Sequence, residues 1–382
     1  MKVLLTTPTY PPFNSGLGNA VHHHAIGLKN HGFEVVVATG GSGRATEMVD
    51  GIRIERFAVT GADYLRSPIR GDVDGYSQFL QTEPYDAIVM EAWQIWSTDI
   101  ALQLADTIKA RKFLYSHCVS TNSWLPYMPL RSLAFYMAWR PYWWTIRQKL
   151  GKLHGLIVLA DRGSDDRFDD VTAARKAGVP IHVIANSCQN AALAIVESER
   201  DQIISVGSYT PAKGFDFVLE AYARSPAKNR IPLALFGQEH TAFTETLRQR
   251  AAELGIAPSM VSFNAGVAGP ALLEQYGRAK LFISGSHTEC QPLVLIDAMA
   301  TGTPFVARST GCIADMPGGE AVISAAEAAD AIGRLLQQQA LWSRHQASGQ
   351  QAARSTYSDE RNSALLAELL RTDYLQSRAV TP

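Results

Sequence analysis

A lysine and two acids in the second half of the chain carry the densest chemical signal. Residues 206–214, Val-Gly-Ser-Tyr-Thr-Pro-Ala-Lys-Gly, end an apolar run and open a helical one, so the Lys213 ammonium and the Gly214 backbone donor meet at a helix N-terminus. A cation there opposes the helix dipole and asks for an anion; a diphosphate is a natural guest. Residues 286–293, Ser-His-Thr-Glu-Cys-Gln-Pro-Leu, follow another apolar run and put Glu289 in a loop, with Asp297 eight residues later, about two turns into the helix that Pro292 opens. At that spacing the carboxylates cannot share one proton, and they suit two separate hydroxyl-bearing groups. Asp297 lies within Leu-Val-Leu-Ile-Asp-Ala-Met, where an unpaired acid would be costly, so a ligand or an internal donor must meet it.

The first half offers looser candidates. Gly16-Leu17-Gly18 follows the opening apolar run and starts a helix, which lets backbone N–H groups approach a phosphate. A nicotinamide site would need a third glycine near Val21 and an acid after the second strand; the chain has Ala38-Thr39-Gly40 there, which excludes it. His22, His23 and His24 occupy consecutive helix positions and point apart, so they cannot converge on one metal ion. Asp72-Val73-Asp74 has the form of a D-x-D metal clamp but lacks a preceding apolar strand. His117, just after a strand, is either a catalytic candidate or only a satisfied cleft histidine.

These residues need a frame to hold them. Short β-branched runs at residues 2–6, 34–39, 87–90, 112–115, 156–159 and 182–184 alternate with helical stretches, the first helix covering about 19–30. A second series runs at 203–206, 232–236, 260–263, 281–284 and 304–307. Continuous apolar strands separated by helices predict parallel sheets covered on both faces. The expected fold is therefore α/β, with two consecutive Rossmann-like doubly wound domains facing a cleft: residues 1–188, and residues 189–357. The closing helical segment, 358–382, has no strand after it.

Composition narrows the class. The chain has 382 residues, Lys+Arg 35 against Asp+Glu 36, 46% hydrophobic residues and 19% charged ones, as expected of an ordered globular protein of two or three domains. Four cysteines without a C-x-x-C pair argue against a structural zinc site. The N-terminal apolar run is too short for a signal peptide and nowhere do about 18 apolar residues run together, so a cytoplasmic location is expected. The balance of charge hides an asymmetry: from Thr107 to Ala160 there is no acid, while Lys109, Arg111, Lys112, Arg131, Arg140, Arg147, Lys149 and Lys152 make +8.

Taken together, these motifs resemble glycosyltransferase family 4, the retaining GT-B transferases that use nucleotide diphosphate sugars. The resemblance runs over nearly the whole length: the Gly16/Gly18 loop, His117, Ile184-Ala185-Asn186 near the crossover, the V-G-x5-K-G stretch, and Glu289 with its helix. It implies that Lys213 and the Gly214 backbone hold the donor diphosphate, aided by Gly16 and Gly18, that Glu289 touches the sugar, and that Asp297 takes the ribose hydroxyls. His117 stands where the family commonly has a histidine and is counted with Lys213 and Glu289 as catalytic, and Gly237, Gly266 and Val267 close strands where the family holds base and diphosphate. The first domain would carry the acceptor, the second the donor, and the 358–382 helix would cross back onto the first. No metal or other cofactor is expected, and no nucleic acid. A donor phosphate oxygen would take the acceptor proton, with no protein nucleophile. Three positions depart from the family pattern: Ser208 stands for the usual arginine, E-x7-D for E-x7-E, and Cys290 for the glycine after the glutamate.

The resemblance leaves the acceptor open, and a lipid-linked glycan of surface polysaccharide synthesis is the expectation. Tyr136, Trp139, Trp143, Ile146, Leu150 and Leu153 recur at 3,4 spacing as one apolar stripe, with Arg140, Trp144, Arg147, Lys149 and Lys152 beside it. That pattern predicts docking of 131–152 on an anionic membrane surface, on the inner face; packing on the first sheet is the alternative. A nucleotide-sugar epimerase of the same architecture would release free sugar without acceptor. A degenerate, non-catalytic sugar-nucleotide binder, suggested by Ser208, would turn over no donor.

Overall fold

The computed structural model describes residues 1–13, 15–63, 67–119, 128–160, 169–195 and 199–379, with 373–379 as backbone alone. Two compact units divide the chain: Met1–Asn186 with Asp359–Pro382, and Ser187–Ser358. The strands are β1 (Lys2–Thr6), β2 (Glu34–Gly40), β3 (Ala45–Val49), β4 (Ile52–Phe57), β5 (Val59–Thr60), β6 (Arg70–Gly71), β7 (Ala87–Glu91), β8 (Arg111–Ser116), β9 (Gly155–Val158), β10 (Ile181–Val183), β11 (Gln202–Val206), β12 (Leu233–Gly237), β13 (Val261–Ala265), β14 (Ala279–Ser284), β15 (Phe305–Arg308) and β16 (Gly319–Val322). The helices of the first unit are α1 (Gly16–Asn30), α2 (Val73–Thr82), α3 (Trp96–Gln103), α4 (Pro129–Trp144), α5 (Ile146–Leu150) and α6 (Asp169–Ala177). Those of the second are α7 (Asn190–Leu193), α8 (Phe215–Arg224), α9 (Ala242–Glu253), α10 (Gly269–Gly277), α11 (Leu293–Ala300), α12 (Ala325–Gln337) and α13 (Gln339–Arg354); α14 (Asp359–Ala379) returns to the first.

The first unit is built on an eight-stranded sheet of order β10-β9-β8-β7-β1-β2-β4-β3, parallel except for the β3–β4 hairpin. The second has a fully parallel six-stranded sheet, β13-β12-β11-β14-β15-β16. Helices cover both faces, which is why the central strands read as unbroken apolar runs: Val3, Leu4 and Leu5 are fully buried, as are Leu281, Phe282 and Ile283. Both sheets are Rossmann-like, and each reverses its winding once, between β1 and β7 in the first unit and between β11 and β14 in the second. Loops leaving the carboxyl ends of those strands part there and leave room for a ligand.

Strands β3 to β6 and β16 were not expected. The β3–β4 hairpin turns at Asp50-Gly51, both at positive φ (51° and 72°), which is the Asp-Gly signal of a tight hairpin. Polar residues on its exposed face hid the alternation. Asp72 proves to be the cap of α2, its side chain accepting from the Gly75 N–H at 3.0 Å, so the D-x-D reading ends as a helix start. Helix α14 packs on α1: Gly27 leaves no room for a Cβ against Ser363, and the buried Arg111 donates from Nη2 to the Leu370 carbonyl at 2.6 Å. Of the expected 358–382 segment, residues 380–382 lie outside the described residues.

All of the apolar stripe expected to meet a membrane turns inward except Tyr136, which is 37% exposed. Trp139, Ile146, Leu150 and Leu153 are buried in the first unit's core and Trp143 packs against it. Helix α4 runs through Pro141 to Trp144 and presents its other side outward, with Leu130 82%, Leu133 49%, Met137 60% and Trp144 77% exposed. Two of the flanking cations are engaged within the unit: Lys149 pairs with Asp63 and Lys152 with Asp106, each at 3.3 Å. Arg111 and Lys112 are buried, the latter donating to the Ile108 and Ala110 carbonyls.

Candidate active site

In the second unit the loops after β11 and β14 are locked together by backbone. The His287 N–H donates to the Ala212 carbonyl at 2.9 Å. Gly214, at φ 60°, and Gly285 lie so close that a Cβ on either would stand 2.0 or 2.1 Å from the other's carbonyl oxygen. Only glycine fits at both places. A 3-10 turn, Pro211–Lys213, precedes Gly214, which caps α8 without a side-chain hydrogen bond.

This packing brings Lys213 and Glu289 together. The ammonium Nζ lies 2.6 Å from Glu289 Oε1; the lysine side chain is 36% exposed and the glutamate 14%. Glu289 therefore reaches across to the other loop rather than serving as the cap of α11, whose N-cap is Pro292. Asp297 is buried just over one turn into α11, which begins at Leu293; the expected two turns, about eight residues, correspond to its distance from Glu289, not from the helix start. Its internal donor is Gln189, whose Nε2 donates to Oδ2 at 3.0 Å. Ser208 is exposed, with its hydroxyl 3.4 Å from that of Thr210. Gly237 ends β12 under the Tyr209 ring, which a Cβ would meet at 2.5 Å, while Val267 lies between β13 and α10. The structure thus brings Lys213, Gly214 and Glu289 to one place and gives Gly237 a packing reason.

Sequence reasoning passed over a second cation near this loop. Arg308, at the end of β15, lies against the His287 ring nitrogens through Nη1 and over the Phe217 ring at 4.4 Å. Burial, and then the Arg308 charge, lower the His287 pKa.

The first unit gathers its candidates at the ends of β1, β7 and β8. Ser15 caps α1, its Oγ accepting from the Gly18 N–H at 2.9 Å and lying 2.7 Å from the Thr9 hydroxyl. Gly18 is thus committed to the cap, whereas a Cβ on Gly16 would meet nothing within 4 Å. The three histidines of α1 find three different partners: Tyr10 for His22, Asp359 for His23 and Glu91 for His24. His117 Nε2 donates to the same Glu91 at 2.9 Å. Glu91 was missed, and an acid closing the buried run of β7 was the available signal; His24, set aside with its neighbours as a metal ligand, is a packed histidine.

Residues 200–338, which hold Lys213, Glu289 and Asp297, match the family model for glycosyl transferases group 1. Among curated relatives, D-inositol 3-phosphate glycosyltransferase of Mycolicibacterium smegmatis is 32% identical over 166 residues, 43% of this chain and 36% of that protein. Mannosylfructose-phosphate synthase of Agrobacterium fabrum is 29% identical over 116 residues, 28% of this chain and 25% of that protein. The chain thus spans between 25% and 38% of the length of the curated relatives it matches. Over 98% of its length it superposes on sucrose-phosphate synthase of Thermosynechococcus elongatus, with TM-score 0.76, 18% identity and 99% of that chain covered. Anabaena HepE, solved with UDP and glucose, gives TM-score 0.68 at 16% identity over 97% of this chain and all of the other. The fold is GT-B, and the similarity in sequence to glycosyl transferases group 1 covers residues 200–338.

Proposed function

We propose that this chain is a retaining glycosyltransferase that moves a sugar from a nucleotide diphosphate donor, held by the second unit, to an acceptor bound by the first. The observation that carries the reading is the convergence of Lys213 and Glu289 at the switch point of the second sheet, inside the stretch that matches glycosyl transferases group 1. In this reading Lys213 leaves Glu289 for the departing diphosphate and Glu289 turns to the sugar. Gly16, open to a ligand, adds backbone N–H groups. Positive ends rather than a metal ion then stabilise the leaving group. Asp297 exchanges Gln189 for the ribose hydroxyls, and Val267 lies beside the base. A donor phosphate oxygen takes the acceptor proton, so sugar departs and acceptor attacks on one face.

The proposed acceptor is a lipid-linked glycan of surface polysaccharide synthesis, reached from the cytoplasmic face of an anionic membrane through residues 131–152. The outward side of α4, apolar and bordered by Arg140 and Arg147 with no acid between 107 and 160, supports this; among the described residues no helix is long and apolar enough to cross a membrane. The names of the relatives favour a second reading, in which the acceptor is a phosphorylated sugar or polyol.

Thermal shift against UDP-, GDP- and ADP-sugars, followed by turnover of the donor that binds, tests the function. A specific donor with an acceptor-dependent product supports transfer. Free sugar released without acceptor would point to an epimerase, and binding without turnover to a non-catalytic binder. Lipid-linked and phosphorylated acceptors, offered side by side, separate the two acceptor readings.

A further inference from the structure

Glu91 closes β7 at the switch point of the first sheet and is fully buried. An ionised carboxylate in such a place is costly unless it is paired and hydrogen-bonded. Two imidazoles do this from different elements. His24 Nδ1, from the middle of α1, meets Oε1 at 2.9 Å, and His117 Nε2, from the loop after β8, meets Oε2 at 2.9 Å. Tyr115 stacks against both, its ring centroid 4.4 Å from His24 and 5.2 Å from His117, while the two imidazoles lie 6.1 Å apart. Burial alone would raise the Glu91 pKa, but the charge of His24 and the hydrogen bonds from His117 and His24 outweigh it and hold the carboxyl down at about 2.

A carboxylate in this state only accepts hydrogen bonds. It therefore dictates which nitrogen of each ring carries the proton: Nε2 of His117 and Nδ1 of His24. His117 is partly exposed, with its side chain at 14%. Were the carboxylate needed for the core alone, an apolar residue would fill that position without the desolvation cost. We propose that Glu91 is a positioning residue that fixes the protonated nitrogen and the ring orientation of His117, with His24 as the counter-clamp, so that His117 presents Nδ1 to a substrate hydroxyl. The role in transfer rests on the glycosyltransferase reading above; the clamp itself does not.

Two measurements separate these layers. Long-range nitrogen–carbon correlation spectra of histidine-labelled whole protein, assigned with His24→Asn and His117→Asn, report the tautomers without any turnover. The expected result is a proton on His24 Nδ1 and on His117 Nε2 with His117 Nδ1 unprotonated; the opposite tautomer at either position, or protons on both nitrogens of His117, overturns the clamp. If it stands, Glu91→Gln should lower kcat/KM by about 10-fold or more, by analogy with the loss when a group that orients a metal-bound histidine is removed. The same change should leave the Kd for the nucleoside diphosphate unaltered. In a His117→Ala background Glu91→Gln should then add less than about twofold, because positioning residues act through their partner. Equal losses in both backgrounds would make Glu91 structural only.

Discussion

Lys213 and Glu289 set up a competition for one ammonium group. A partly exposed ion pair contributes only about 0–1 kcal/mol, so a multiply charged diphosphate can take Lys213 away from Glu289. Lys213→Ala should therefore weaken nucleoside diphosphate binding and slow transfer by about 2–4 kcal/mol of transition-state stabilisation, as when a single oxyanion donor is lost. Glu289→Gln removes the competitor, so nucleoside diphosphate should bind as well or better while transfer falls; Asp297→Asn should instead raise the nucleotide's Kd. Calorimetric titration of the three variants decides between these roles, and equal weakening by the last two would refute the division. Asp99 gives a test of pH dependence. Burial raises its pKa from 3.8 to about 6, against the Asp63 N–H, the Lys149 charge and the Tyr142 hydroxyl, which lower it. The folded state then holds a proton that the unfolded chain has released, so this residue's contribution to stability falls as pH rises from about 4 to about 6. Asp99→Asn should flatten that slope in denaturant titrations. The low pKa of Glu91 acts in the opposite sense below about pH 4.5, and His22, His287 and His345, lowered by burial, do so below 6.5. Asp170, raised by burial, acts with Asp99, so the difference between wild type and Asp99→Asn is what reads Asp99.

Helix α4 shows why periodicity is an incomplete guide at the scale of an element. Its apolar spacing identified a real stripe, yet the opposite side is apolar as well, and which one is buried depends on which meets the sheet. Substituting Leu133 and Met137 together by Glu should abolish co-sedimentation with anionic vesicles and leave the fold intact, since both are exposed. Equal binding of wild type to anionic and neutral vesicles, or none, would sink the membrane contact. Trp139→Ala, on the buried side, should instead cost about 3–5 kcal/mol of stability. In the second unit Gly214→Ala would force a Cβ into the Gly285 carbonyl. The two loops must then part, Lys213 must leave Glu289, and nucleoside diphosphate affinity should drop alongside stability.

At the scale of the whole molecule the two units differ in how the chain composes them. The second is one continuous segment, whereas the first recruits α14 after the chain has left it. Ending the chain at Ser358 should destabilise the first unit, which loses the packing of Ser363 on Gly27 and the carbonyl partner of Arg111. Tryptophan fluorescence reads this directly, because every tryptophan except Trp342 belongs to the first unit. Nucleoside diphosphate at about 100 times its Kd should stabilise the second unit by about 2.7 kcal/mol, and should do so in the truncated chain too. Loss of that stabilisation on truncation would show that donor binding depends on α14.

The sequence by itself determined the parallel sheets, the helices between them and the resemblance to GT-B glycosyltransferases, because buried strands demand apolar runs and glycine-bounded loops mark their carboxyl ends. Lys213, Gly214 and Glu289 stood out for the same reason: their meaning lies in local order along the chain. Tertiary structure alone decided which groups meet. Lys213 faces Glu289 because β11 and β14 are neighbours across 76 residues. Gln189 satisfies Asp297 across 108, and Glu91 joins two histidines from α1 and the β8 loop. No pattern of spacing encodes such contacts, since they follow from the order of strands in a sheet rather than from the order of residues in the chain.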